Sequence, residues 1–416
     1  MISAVVSIFA IAIALRVLGF VLLPEPPLPY NALFAYLKGA ELLRNGAGFA
    51  DPSFPVFTPP LYSMLLASVG SVPGESTFGI RIAQMVIDSL TAVLTCLLAR
   101  ELLTNARVAT LAGIAWAMYP FAIYSTQYVG TEVLFAFFLL AFLLLFVRAI
   151  KHESGWLDVG TGLCLGLATL TRGTTQFLPL LLPLVLVWFI RDRWRALRSS
   201  SVMVTCFVLV VFPWSLRNYL VLHEVIPIGT NSSVILWGSS KPLLTIESRM
   251  KELPQLYDRA RAKGIVASPP DAGPSAKDRY FLQLAIENYR QAVTNDPVGL
   301  IELLITKFAR LWYSTESGNN HTVILLVNLF IYPLALVGVV SVWKERNRFG
   351  LLLLSLVIYF ALLHWATLPL FRYILPVMPI ILCLACLGVD RTFSASRFVD
   401  LFPRRVCSRR LTTTNR

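Results

Sequence analysis

The chain has 416 residues, 56% of them hydrophobic and 14% charged, with a mean hydropathy of +0.68. Soluble domains carry about 25% charged residues, so this composition excludes an ordinary water-soluble fold. The net charge of +13 invites a nucleic-acid reading, but basic cytoplasmic loops of a membrane protein account for it, and no nucleic-acid partner is expected.

The apolar residues fall in runs of about 15 to 23, and about 20 helical residues cross the hydrocarbon core of a bilayer. The first run, Ser3 to Leu23, is unlike a signal peptide. No basic residue precedes it, Arg16 lies inside it, and Leu23-Pro24-Glu25-Pro26-Pro27 is no small-residue cleavage site. It is read as a retained transmembrane helix. Further spans are predicted at about 80–103, 108–125, 131–148, 157–171, 174–190, 202–216, 322–343, 349–367 and 372–389. The expected fold class is an all-α polytopic membrane protein with about ten transmembrane helices.

Orientation follows from the short loops. Arg100, Arg107, Arg148, Lys151, the arginines at 191–198, Lys344, Arg346, Arg348 and the tail supply 18 basic residues against seven acids. By the positive-inside rule that side is cytoplasmic, with both termini on it. Counting 298–313 as a span would put Lys344 outside, so it is read as an interfacial helix with Lys307 and Arg310 on its polar face. The expected organisation is a bundle at 1–216 carrying an external loop at 24–79, then a periplasmic region at 217–321. C-terminal helices at 322–390 and a basic tail at 391–416 complete it.

Several chemistries have no motif here. No P-loop, HExxH, GxSxG or dinucleotide fingerprint occurs, and His152, His223, His321 and His364 are scattered. No cofactor is expected, and a divalent metal is not indicated. The six cysteines lie in apolar segments or the tail, which implies no disulfide framework. Cys383 and Cys386 read as packing residues, and Gly162 and Gly166 as a helix-packing GxxxG.

The informative charges break the positive-inside pattern. Arg172, Arg217 and Arg372 each sit at the outer end of an apolar run, beside a turn or a proline. One such arginine can snorkel to headgroups, whereas three on one face suit an anionic group such as a phosphate. Arg16 lies within its helix and needs a partner, for which Asp88 and Glu132 are the candidates.

Around these residues the chain resembles a family. Tyr36-x-x-x-Ala40-x-x-Leu43-x-x-Gly46-x-Gly48-Phe49 and Pro59-Pro60-Leu61-Tyr62 resemble the first external loop of GT-C glycosyltransferases. The group is that of protein mannosyltransferases and lipid A aminoarabinose transferases. Thr131-Glu132-x-Leu134-Phe135, Gly166 to Arg172, Pro213-Trp214-x-x-Arg217-Asn218-Tyr219 and Arg372-Tyr373-x-x-Pro376-x-x-Pro379 follow in family order. The resemblance implies an enzyme that transfers a sugar from a polyprenyl-phosphate carrier to a glycan, lipid or protein acceptor at the outer membrane face. It implies lipid-phosphate contacts from Arg172, Arg217, Arg372, Tyr373 and Tyr62. The family's loop aspartate, four residues before the tyrosine, is replaced here by Ala32. Glu25, Asp51 and Glu132 are the candidate catalytic carboxylates, while Glu41 reads as part of a solvated helix face with Lys38 and Arg44. An envelope polymerase or ligase, a lipid flippase and an inactive family member are the alternatives.

Overall fold

A computed structural model describes residues 2–23, 32–70, 76–103, 105–230, 232–240, 273–315 and 321–400, without the side chains of 32, 33 and 393–400. Among the described residues every regular element is a helix. The chain opens with α1 (Ile2–Leu22), α2 (Ala32–Arg44), α3 (Leu61–Ser68) and α4 (Phe78–Leu102). Next come α5 (Ala106–Met118), α6 (Pro120–Ser125), α7 (Glu132–Lys151), α8 (Gly155–Thr171), α9 (Leu178–Phe189) and α10 (Arg193–Leu222). Then α11 (Ser232–Ser239), α12 (Pro274–Asn295) and α13 (Pro297–Arg310) precede α14 (His321–Asn328), α15 (Ile331–Lys344) and α16 (Arg348–Ala366). The last two are the short α17 (Phe371–Ile374) and α18 (Met378–Asp400).

Six of these helices are long and apolar enough to cross a membrane, or seven if α14 and α15, bent by 44°, count as one span. The protein is a multi-pass membrane protein. The runs predicted at 108–125, 157–171 and 174–190 take the form of shorter or interrupted helices. Pro120 explains one interruption: it pushes Tyr119 into an extended conformation (φ −67°, ψ 116°) and separates α5 from α6. α10 instead starts earlier than predicted, at Arg193. The Asp192 carboxylate caps it by accepting hydrogen bonds from Trp194 N at 2.9 Å and Arg195 N at 3.3 Å.

The interior is built where small residues let helices approach. A Cβ on Gly162 would lie 2.2 Å from the Met203 carbonyl, and one on Gly166 would lie 2.7 Å from Val210 Cβ. The GxxxG is thus the face that α8 presents to α10. Cys383 is buried in α18 with its thiol 3.8 Å from the Thr95 carbonyl of α4, a packing position.

Arg16 takes Asp88 as its partner. Its Nε donates to Asp88 Oδ2 at 2.8 Å, and Trp116 Nε1 donates to Oδ1 at 3.1 Å. Arg16 Nη1 donates to the Ala12 and Ala117 carbonyls, so the pair is hydrogen-bonded on all sides. Breaking such a buried pair from one side costs about 3–5 kcal/mol, whereas an apolar replacement of both partners is often neutral. Arg16→Met and Asp88→Leu should each lower the unfolding temperature in detergent, and the double variant should regain most of the loss. A double variant whose loss equals the sum of the singles would contradict this account.

One sequence expectation is corrected by the fold. Lys307 was expected on the polar face of an interfacial helix, yet in α13 it is fully buried. Its ammonium donates to the Ala366 carbonyl at 3.0 Å and the Tyr289 hydroxyl at 3.2 Å. Exposed on the same helix are the apolar Val298, Ile301, Ile305 and Phe308. Periodicity marked the two faces of α13 correctly, but the face that meets protein is the one carrying the lysine.

Candidate active site

The alternation of the helices gathers the start of α7, the end of α8, the end of α16 and α17 at one end of the bundle. α2 and α3 cover the same end: Tyr36, Leu37 and Ala40 of α2 pack on Tyr62 and Leu66 of α3 and on Val129 and Leu134. Lys38 and Glu41 form an exposed ion pair at 3.2 Å on the other side of α2, the solvated face expected for Glu41.

Glu132 occupies the first turn of α7 and is only 1% exposed. Two arginines from separate elements converge on one of its oxygens. Arg372 Nε donates to Glu132 Oε1 at 2.9 Å, and Arg172 Nη1 approaches the same oxygen at 3.4 Å. The second oxygen, Oε2, is buried and has no hydrogen-bond partner among the described residues. A buried carboxylate oxygen left unbonded is costly, and such groups mark places where a ligand can complete the bonding. Gly130 makes the room, since a Cβ there would stand 2.5 Å from Oε2.

Local structure aims each arginine. Arg172 ends α8 in an extended conformation (φ −148°, ψ 125°). The turn that follows is tied down by Tyr359, whose hydroxyl donates to the Thr174 carbonyl at 2.6 Å. Arg372 sits in α17, whose first amide, Phe371 N, donates to the Ser314 carbonyl at 2.8 Å. Tyr373 lies between these groups. The Arg172 guanidinium stands 4.8 Å from its ring centroid and that of Arg372 5.5 Å, and the His364 ring stacks on it at 4.8 Å with 10° between planes. The side chains of Arg172 and Arg372 are 11% and 28% exposed. They form a partly open roof over Glu132, a cluster of net charge +1 if all three groups are ionised.

The remaining predicted residues lie apart from this cluster or behind it. The Tyr62 hydroxyl donates to Gln84 Oε1 at 2.9 Å and accepts from Gly130 N at 2.7 Å, which braces the strand of chain leading into Glu132. Arg217 turns towards the loop after α2: its Nη2 donates to the Asp51 carbonyl at 2.8 Å and its Nε to the Phe49 carbonyl. Its guanidinium also packs on Trp214 and Phe54. Asp51 is exposed to water along one side and uses its carboxylate locally, accepting from Ser53 N at 2.7 Å and Ser53 Oγ at 2.6 Å. Glu25 lies outside the described residues.

The Ser53 hydrogen bonds hold the Asp51 carboxyl below the usual carboxylate range, with smaller pulls from Lys38 and Arg217. The folded value lies below the unfolded one, so the contribution of this turn is complete above the ordinary carboxylate range and is lost as pH falls through the lowered value. Asp51→Asn should therefore leave neutral-pH turnover close to parental while loosening the 48–54 loop. Loss of turnover with an intact loop, read by limited proteolysis, would instead make Asp51 the reacting carboxylate.

Two members of the cluster were not among the predicted site residues. Tyr36 is buried beside it: burial pushes its phenol up, opposed chiefly by the positive charge of Arg172. The loop motif that begins at Tyr36 was its only signal. His364 stands eight residues before Arg372 in the chain and had none.

Comparison with known proteins agrees with this architecture. Residues 58–216 match the family described as dolichyl-phosphate-mannose-protein mannosyltransferase. Undecaprenyl phosphate-alpha-4-amino-4-deoxy-L-arabinose arabinosyl transferases of Pseudomonas aeruginosa strains LESB58 and UCBPP-PA14 are each 29% identical over 205 residues. The match takes in 45% of this chain and 36% of each relative, so it spans about a third of the relatives' length. Among solved structures, the archaeal oligosaccharyltransferase AglB from Archaeoglobus fulgidus, in complex with an inhibitory peptide and a dolichol-phosphate, aligns with a TM-score of 0.59 at 16% identity. The alignment covers 99% of this chain and 52% of that one, and it establishes a shared fold. Residues 58–216 thus resemble the protein mannosyltransferase family, and the chain as a whole shares its fold with the archaeal oligosaccharyltransferase.

Proposed function

We propose that the protein is an inverting glycosyltransferase that moves a sugar from a polyprenyl-phosphate carrier to an acceptor hydroxyl. The reaction takes place at the periplasmic face of a bacterial inner membrane, with both termini in the cytoplasm. The observation that carries this reading is the convergence of Arg172 and Arg372 on one oxygen of buried Glu132, whose other oxygen has no partner among the described residues. The relatives' names support the donor class: one is named for an undecaprenyl phosphate-linked sugar, and the oligosaccharyltransferase was solved with a dolichol-phosphate.

In this reading Arg172 and Arg372 hold the donor phosphate, and Glu132 Oε2 receives the acceptor proton. The acceptor oxygen forms its bond to the anomeric carbon as the bond from that carbon to the phosphate oxygen breaks. The charges balance throughout. Before reaction the two guanidiniums face the Glu132 carboxylate and a phosphodiester monoanion. Afterwards they face a neutral carboxylic acid and a lipid phosphate dianion, and the sum is zero in both states. A site with little water gains from such neutrality, because an uncompensated buried charge is costly.

A transport path is disfavoured by the deep charges, since Arg16 and Asp88 are locked to each other and to backbone carbonyls. The function is tested by mass spectrometry of envelope glycolipids and glycans from a deletion strain and its parent. One sugar should be missing and should return with the parental gene but not with Glu132→Gln. The orientation is tested by a reporter fused at residue 260 of the full chain, which should behave as periplasmic. A cytoplasmic signal there would overturn it.

A further inference from the structure

α13 and the residues after it grip the segment that carries Arg372 at three points. Trp365 Nε1 donates to the Leu304 carbonyl at 2.7 Å, Lys307 Nζ donates to the Ala366 carbonyl at 3.0 Å, and Phe371 N donates to the Ser314 carbonyl at 2.8 Å. Between the second and third grips lie only residues 367–370, a non-helical connection. Arg372 and Tyr373 follow at once, and His364, which stacks on Tyr373, lies two residues before Ala366. The placement of all three site residues therefore depends on where α13 holds this segment.

Lys307 is the centre of the grip. Its ammonium also approaches the Ser239 carbonyl at 3.4 Å and the Tyr289 hydroxyl at 3.2 Å. Ser239 and Ala366 are the final residues of α11 and α16, where unsatisfied carbonyls and the negative end of the helix dipole favour a cation. One buried ammonium thus joins α11, α12 and α13 to the end of α16. Burying that charge carries a desolvation cost, which the three acceptors offset.

We infer that Lys307 is a positioning residue for Arg372: through the Ala366 carbonyl it sets where α17 begins, and so where the guanidinium meets the donor phosphate. The inference rests on the proposed phosphate role of Arg372. It predicts that the outer helices and the phosphate site are mechanically one unit, and that loosening Lys307 is felt at α17.

The test uses the full-length protein in lipid nanodiscs, with undecaprenyl phosphate as the binding probe and hydrogen–deuterium exchange as the second readout. Lys307→Met keeps length and removes the charge. Trp365→Phe removes a neighbouring grip more gently and covers the case in which Lys307→Met fails to fold. Either variant should speed exchange of the Phe371 to Tyr373 amides while the α7 amides stay protected. Each should weaken probe binding, Lys307→Met by about 10-fold, the scale of one charge-assisted hydrogen bond. In an Arg372→Lys background the same change should cost less than about 2-fold, because interacting sites are not additive. Lys307→Arg should restore most of the affinity. Unchanged exchange at 371–373, or an equal affinity loss in both backgrounds, would overturn the inference. A parental protein that binds no undecaprenyl phosphate would refute the proposed function instead, and the exchange data would still decide whether Lys307 positions α17.

Discussion

Glu132→Gln is expected to abolish most turnover while leaving donor binding intact or tighter. Glutamine keeps the shape of the side chain and one carbonyl oxygen for Arg372 Nε, which now sits 2.9 Å from Glu132 Oε1. What it loses is the negative charge and the ability to take a proton. A positioned general base is worth roughly 100- to 10,000-fold in rate, and the fall should lie in that range. The cluster's charge rises by one, so a phosphate anion should bind no less well than before. Turnover and binding thus move in different directions, which a merely structural Glu132 would not produce. If donor affinity collapses together with turnover, Glu132 only arranges the arginines. If turnover stays parental, the base lies elsewhere, with Glu25 the next residue to neutralise.

Arg372→Lys and Arg172→Lys should both lose donor affinity, although each keeps a positive charge. Arg372 directs Nε at Glu132 Oε1 and in the proposed complex also donates to the phosphate. Lysine carries its donors on one nitrogen and lacks the planar, spaced fork that meets a carboxylate and a phosphate side by side. A lost hydrogen bond to a charged group is worth about 1.5 to 3 kcal/mol, which is roughly 10- to 150-fold in affinity. The loss should appear with any acceptor, because the contact is to the donor. Arg217→Lys makes the informative comparison. That arginine holds backbone carbonyls of the 49–51 loop, so its loss should raise loop protease sensitivity more than it weakens donor binding. Parental donor affinity in both Arg172→Lys and Arg372→Lys would leave interfacial anchoring as the role of these residues.

Much of the architecture was legible in the sequence because burial in lipid demands long apolar helices and penalises every charge within them. The apolar runs that form helices, the packing role of Gly162 and Gly166, and the choice of Arg172 and Arg372 as charges at the ends of apolar runs came from that rule, whereas Glu132 came from the family resemblance. The convergence of these three residues was not legible. Glu132 and Arg372 are 240 positions apart, and nothing local in either segment reports the other. Two boundary arginines that looked equivalent in sequence, Arg217 and Arg372, separate only in three dimensions, one to two loop carbonyls and the other to a carboxylate. The partner of Arg16 was open between Asp88 and Glu132 because apolar helices of similar pattern pack in many registers. Lys307 was misjudged for a related reason: an amphipathic helix at the membrane surface has its apolar face towards lipid, so its polar face can be the one that meets protein. The interruption at Tyr119-Pro120 was present in the sequence, hidden within a continuous apolar run.

The central claim is that the phosphate of the carrier is held by Arg172 and Arg372 beside Glu132. A structure of the full-length protein in lipid with undecaprenyl phosphate bound tests it most directly. The account predicts the phosphate within hydrogen-bond distance of both guanidinium groups, at the end of the bundle where α7 starts and α8 ends, with Glu132 Oε2 left unbonded by the phosphate. A phosphate seated on Arg217 and the 48–54 loop, or bound away from both Arg172 and Arg372, would contradict it.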